Sequence, residues 1–304
     1  MPSTADIATF KAGLRGQLIE PSDSDYAVAC RVYNGMISKR PALIARVADV
    51  ADVITAVNFA RDQKMLVAIQ GGGHNAGGLG TCDDGLVIQL GRMKGIRYDP
   101  ATETVRVDGG CTWGDVDHAL HAFGRAVPSG ILSTTGVGGL TLGGGLGHLT
   151  RGCGLTIDNL LEADVVLADG RFVTTSAKKN SDLYWALRGG GGNFGVVTSF
   201  LFKTHPVHTN YAGPTLYEMS EAPAVMKWYR DFIKKAPPQL TGFFAFLVVP
   251  PAPMFPVHLH MKKMCGVVWC YSGPRGAKIA PFGREGSAKS VRLFKSKAAK
   301  RPIN

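Results

Sequence analysis

The chain has 304 residues, 45% hydrophobic and 19% charged, enough to bury more than one core. Its formal charge of +11 would suit a nucleic-acid binder, yet nine of the Lys and Arg fall in 274–304 beside a single Glu, leaving 25 basic against 22 acidic residues elsewhere; a basic tail with only Phe282 and Phe294 between its charges argues against nucleic acid as the main partner. The most apolar run, 243–249, stops at Pro250-Pro251, far short of the roughly 20 residues that span a bilayer, the six cysteines form no CxxC pair and no basic-then-apolar leader opens the chain, so a cytoplasmic protein without a membrane segment is expected.

In chain order, residues 5–18 read as an opening helix, followed by the polar turn 21–25. Val50, Val53, Ile54 and Val57 share one helix face, and 65–69 is a buried strand that runs straight into glycines. A second strand covers 86–90, and Asp99-Pro100 turns the chain between strands at 96–98 and 105–107. Thr112 with Asp115 three residues on marks a helix start. Asp169-Gly170 joins strands 165–168 and 172–175, 182–187 is a helical turn, and 196–202 closes this part as a strand. Past Pro206 glycines thin out, a helix is expected around 225–233, and strands at 243–249 and 267–271. From Pro274 periodicity fades, so no packed element is expected there. The expected domains are 1–206, 207–280 and a basic, disordered tail over 281–304.

The 39 glycines exceed the usual share of about 7% and cluster. QGGGHNAGG (70–78) follows a strand, and consecutive bare amides there form a nest for a phosphate. PSGILSTTGVGGLTLGGGLGHL (128–149) adds the hydroxyls of Ser133, Thr134 and Thr135, and RGGGGNFGVV (188–197) leads into a strand. Three such loops in one fold imply a long ligand with several polar parts, such as a dinucleotide. No GxxxxGK[ST] occurs, and the GxGxxG at Gly190, Gly192 and Gly195 follows a helix and precedes a strand, the reverse of the Rossmann order. His118 with His121, and His258 with His260, lack the further ligands a metal site needs, so no metal is expected.

Taken with RPALIARVADVADVITAVNFARDQKMLVAIQGGGHN (40–75) and GLTIDNLLEADVVLADGRFV (154–173), these loops resemble the PCMH-type FAD-binding domain of the vanillyl-alcohol-oxidase superfamily, and within it berberine-bridge-like and 6-hydroxynicotine-oxidase-like flavoproteins; the resemblance spans about 20–207. It implies an α+β fold: an FAD-binding domain of two subdomains, followed by a substrate domain with an antiparallel sheet, here incomplete because intact relatives are longer. It implies FAD lined by Gly71, Gly72, Gly73, His74, Asn75, Gly78, Ser133, Thr134, Gly136, Gly138, Gly139, Gly143, Leu149 and Val197. His74 stands where the family joins imidazole to the flavin's ring methyl, whereas Leu132 stands where bicovalent members carry a second, cysteinyl link, so a single link is expected. Thr135 falls where the family governs oxygen access. The implied activity is hydride transfer from a small alcohol, amine or sugar to the flavin, with oxygen or another acceptor re-oxidising it; the rival reading is a catalytically silent flavin-binding fragment. No catalytic base is assigned, Tyr217, Tyr229 and His260 being the candidates, and nothing in the sequence sets an oligomeric state.

Overall fold

The computed structural model describes residues 2–207, 209–273 and 291–292. It divides into two compact units: the chain up to Gly147 together with Gly154–Pro206, and His148–Cys153 together with the chain from Val207.

The first unit begins with α1 (Thr4–Ala12), β1 (Gln17–Ile19), α2 (Tyr26–Ala29), β2 (Leu43–Arg46), α3 (Val50–Asp62), β3 (Val67–Gln70) and β4 (Leu86–Gln89). The strands form a sheet ordered β1-β2-β4-β3, with β2, β4 and β3 parallel and β1 antiparallel. The opening helix stops at Ala12 rather than at 18, and after a turn over 13–16 the chain enters β1. Gly16 explains this: a Cβ there would stand 2.0 Å from the Arg46 carbonyl oxygen, and the buried Asp52 carboxylate captures the backbone N–H of Arg15 and Gly16 at 2.9 Å each. Long-range capture of those amides competes with helix continuation. α3 starts where Asp49 caps the Asp52 amide, and it buries Val53, Ala56, Val57 and Ala60 against this sheet.

The unit continues with β5 (Ile96–Asp99), β6 (Thr104–Asp108), α4 (Trp113–His121), β7 (Arg125–Ala126) and α5 (Val137–Leu142); α6 (Thr150–Cys153) is set apart in the other unit. β8 (Leu160–Val166), β9 (Phe172–Ser176), α7 (Ser181–Leu187), β10 (Val196–Lys203) and β11 (His205–Pro206) complete it. The second sheet is antiparallel, ordered β5-β6-β10-β8-β9, with β7 and β11 as a separate pair. The expected capping box is present, Thr112 and Asp115 each bonding the other's backbone N–H. Trp113, Val116 and Leu120 of α4, Val137 and Leu142 of α5 and Leu187 of α7 pack on Val105, Val107, Val165, Phe200 and Phe202. Burying each such side chain contributes about 1.5–3 kcal/mol.

In the second unit β12 (Tyr211–Glu218), α8 (Ala222–Lys235), β13 (Leu240–Val248), β14 (Lys263–Tyr271) and β15 (Val291–Arg292) build an antiparallel sheet ordered β13-β14-β12-β15. α8 covers one face, with Trp228, Tyr229 and Phe232 set edge-on around the buried Trp269 at 5.7–6.2 Å. The sequence hides β12, because Pro214 and Gly213 interrupt its pattern. β15 corrects the expectation that nothing packed follows Pro274: the open edge of β12 takes two residues of that stretch as a strand. The rest of the expected tail, 281–304, lies outside the described residues. No helix among the described residues is long and apolar enough to cross a membrane.

Candidate cofactor-binding site

Two glycine loops of the first unit meet backbone to backbone. A Cβ on Gly72 would stand 2.3 Å from the Gly136 nitrogen, and one on Gly136 would stand 2.2 Å from the Gly72 nitrogen, so only glycine allows the approach. The second loop is fixed by the start of α4: Gly114 N–H donates to the Ser133 carbonyl at 2.8 Å, Trp113 N–H to Thr135 at 2.9 Å, and Val137 N–H to Cys111 at 2.9 Å. The first loop is braced by residues 33–39. Tyr33 N–H donates to the Gly73 carbonyl at 3.0 Å, the Asn34 amide to Ala76 at 2.8 Å, and the Lys39 ammonium to Gly78 at 3.0 Å. Asn75 accepts the Leu79 N–H at 3.0 Å and so closes the loop on itself.

His74 lies where the loops meet. Its Nε2 is 3.0 Å from the Thr134 hydroxyl and its Nδ1 is 3.5 Å from that of Thr135, and the Tyr33 ring stacks on it at 4.0 Å and 18°. Of the residues singled out from the sequence, the structure thus brings together Gly71–Asn75 with Ser133, Thr134 and Gly136. Gly138 and Gly139 follow on α5, and nothing lies within 4 Å of a Cβ built on Gly139. Gly143 caps the end of that helix and Gly78 packs on Ile37. Val197 is buried in the β10 core and paired with Val165 of β8. Leu149 belongs to the second unit.

Sequence reading missed a cavity of about 260 Å³ at the carboxyl ends of the parallel strands, lined by Arg31, Arg46, Arg92, Gln70, Gln89 and Gly71 among others. β2, β4 and β3 are in register there, Arg46 beside Gln89 beside Gln70. Arg46 donates to Gln89 at 3.2 Å, and the Gln89 amide donates to Gln70 at 2.5 Å and to the Ala29 carbonyl at 2.8 Å. Crevices at strand carboxyl ends are favoured ligand positions in sheets with parallel strands. Three arginines line the cavity with Gly71, Arg46 also lying 3.6 Å from the Asp25 carboxylate, and arginine suits a phosphate-bearing group. The room takes part of a dinucleotide, not all of it. Only the strand register could have pointed to this row, because its residues lie far apart in sequence.

Cys111 is fully buried, its thiol directed at the Met93 and Gly95 carbonyls, and burial pushes its pKa up to about 12, which keeps it from acting as a thiolate. Leu132 is 45% exposed and offers no nucleophile. Among the described residues no group of three or more His, Cys, Asp or Glu could hold a metal ion.

In the second unit, the three candidates for a base have other ties. Tyr217 is buried in the core under α8, the Tyr229 hydroxyl donates to the Gly242 carbonyl and burial raises its pKa, and His260 bonds the Phe255 carbonyl at 3.0 Å. His148, which sequence reading passed over, stacks on Phe243 at 6.2 Å, and burial lowers its pKa, favouring a neutral ring at pH 7.

A parallel-stranded layer, an antiparallel layer and glycine loops meeting at a histidine depart from the Rossmann arrangement. Residues 41–176 match the FAD binding domain family. An FAD-linked oxidoreductase of Dictyostelium discoideum is 44% identical over 185 residues, 61% of this chain and 40% of its own length. The crystal structure of 6-hydroxy-D-nicotine oxidase from Arthrobacter nicotinovorans superposes with a TM-score of 0.78 at 30% identity, covering 86% of this chain and 56% of that one. Glucooligosaccharide oxidase from Acremonium strictum, described with a 6-S-cysteinyl, 8α-N1-histidyl FAD, gives 0.76 at 27% identity over 90% and 55% of the two chains. Residues 41–176 thus carry an FAD binding domain, and over that stretch the chain is similar to FAD-linked oxidoreductases. The chain spans about two fifths to just over half the length of these relatives.

Proposed function

We propose that this chain binds FAD through the meeting loops and the arginine-lined cavity, joins it covalently through His74, and serves the oxidation of a small alcohol, amine or sugar, with oxygen or another acceptor as the final oxidant. The observation that carries the reading is the placement of the His74 ring at the junction of two glycine loops, held at both nitrogens and on one face. A neutral imidazole so fixed is a competent nucleophile. The fit to a dinucleotide rests on donor chemistry: backbone amides of 71–73, the Ser133 and Thr134 hydroxyls, and Arg31, Arg46 and Arg92 are all donors suited to diphosphate. When bound, the flavin supplies two-electron hydride acceptance. The protein's part is to anchor it, orient it and exclude water from it. Relatives named as oxidases of 6-hydroxynicotine and of oligosaccharides support both the cofactor and the substrate range.

Acid precipitation of the purified protein tests the link. Flavin should stay in the pellet, one flavin-bearing peptide should contain His74 and none should come from 128–149, and His74→Ala should release flavin to the supernatant. Covalent flavin persisting in His74→Ala removes the assignment. Anaerobic bleaching of the bound flavin across alcohols, amines and sugars tests the activity, and re-oxidation in air tests the acceptor.

A further inference from the structure

We infer that Thr134 is a positioning residue for flavin attachment: its hydroxyl holds the Nε2 proton of His74 before the bond forms and donates its own proton to Nε2 afterwards. The inference rests on the covalent-link reading above. A neutral imidazole has one N–H and one lone pair, and only the lone pair is nucleophilic. The two contacts on the ring are unequal. Thr134 Oγ1 lies 3.0 Å from Nε2, an ordinary hydrogen bond, whereas Thr135 Oγ1 lies 3.5 Å from Nδ1, at the outer limit. A hydroxyl can accept from an N–H at this distance, and with the proton placed on Nε2 against Thr134 the Nδ1 lone pair is the reacting one. Tyr33, stacked at 4.0 Å and tied by its own N–H to Gly73, keeps the ring from turning out of this arrangement.

In the attachment step a bond forms between Nδ1 and the methyl carbon on the flavin's dimethylbenzene ring, and that carbon loses one proton. The two electrons of the broken C–H bond enter the flavin ring and pass to dioxygen. With the methyl proton and the Nε2 proton, dioxygen leaves as hydrogen peroxide. Bond formation at Nδ1 would leave the imidazole cationic unless Nε2 gives up its proton. A hydroxyl serves both ends of that change, accepting from N–H at first and donating to the bare nitrogen at the end, by rotation about one bond. A carboxylate could only accept, and a methyl group could do neither.

The test is a time course. The 304-residue chain, synthesised in a flavin-depleted cell-free system and then mixed with FAD, is sampled for total bound flavin by absorbance and for acid-stable flavin by in-gel fluorescence. Compared at saturating FAD, where any lost contact of the hydroxyl with the cofactor no longer limits occupancy, Thr134→Val should form the acid-stable link about 10²-fold more slowly than the parent, the lower end of what a positioned proton acceptor provides. Thr134→Ser should recover the parent rate within a few-fold, and Thr135→Val should change it little. Attachment by FAD-saturated Thr134→Val at the parent rate, or failure of Thr134→Ser to rescue, would each overturn the inference. Parent protein whose flavin is fully acid-soluble overturns the covalent reading and this inference with it; His74→Ala losing the link while Thr134→Val keeps it overturns the role of Thr134 alone.

Discussion

The loop pair 70–78 and 133–139 and the loop 188–195 are all rich in glycine, yet their glycines do different work. In the pair, Gly72 and Gly136 are glycines because another backbone occupies the place of a side chain. In 188–195 the glycines divide: a Cβ on Gly190 would stand 2.3 Å from the Ala186 carbonyl oxygen and one on Gly195 2.6 Å from that of Val166, whereas on Gly189, Gly191 or Gly192 it meets nothing within 4 Å, Gly189 and Gly191 having φ values of +112° and +70°. Composition alone therefore does not tell which glycines of a loop face a neighbouring backbone and which face open space. A glycine run marks either a close approach of chains or a turn, and only the neighbours tell which.

Substituting the interlocked pair should produce the largest effect. Gly72→Ala forces its Cβ to 2.3 Å from the Gly136 nitrogen. Backbone cannot yield as a flexible side chain does, so we expect a loss of about 3 kcal/mol, the upper part of the usual overpacking range, seen as a lower urea midpoint and lost flavin retention. A Gly72→Ala protein as stable as the parent would show that the loops separate freely.

Next in size is the contribution of the cavity. In a His74→Ala background, where binding is reversible, Arg31→Ala with Arg92→Ala should weaken FAD by roughly tenfold, more at low salt than at high salt, as expected for charge-assisted phosphate contacts. Titration of flavin fluorescence measures it. An unchanged Kd would move the diphosphate elsewhere.

A smaller effect concerns His205 on β11, bonded to Asn159 at 2.6 Å. Burial first, then Lys203 and Arg125, lowers its pKa below the ordinary 6.5. The unfolded chain then binds the proton more readily, so this contribution to stability is complete above about pH 6.5 and lost as pH falls towards the folded value. Urea midpoints of His205→Gln should fall less steeply from about pH 7.5 to 5.5 than those of the parent. The smallest expected effect belongs to the third loop: Gly192→Ala should stay within about 0.5 kcal/mol of the parent, and a larger loss would mean that this loop packs as tightly as the first two.

Most elements were legible because their signals are local. The apolar stripe of α3, the Thr112–Asp115 box and the Asp169-Gly170 turn each lie within a few residues, and the glycine loops announced themselves by composition. What escaped reading depends on distant partners. β1 replaces helix because Asp52 reaches back to Arg15 and Gly16, and Arg46, Gln89 and Gln70 form a row only through strand pairing. The grip on His74 was half legible: histidine and threonines were conspicuous, but Tyr33, far upstream and unremarkable in sequence, was not.

The short segment His148–Cys153 interrupts the first unit in sequence and folds with the second, where the Arg151 guanidinium donates to the carbonyls of Leu240 at 3.0 Å and Ala236 at 3.1 Å. The second unit is therefore not a contiguous stretch of gene. Cutting at Pro206 and transplanting only the residues from Val207 onward onto another scaffold would strip β13 and the end of α8 of that clasp and of His148. A recombination event that exchanges substrate-side modules between relatives must carry this short insert along, or inherit a sheet whose edge carbonyls have lost their cation.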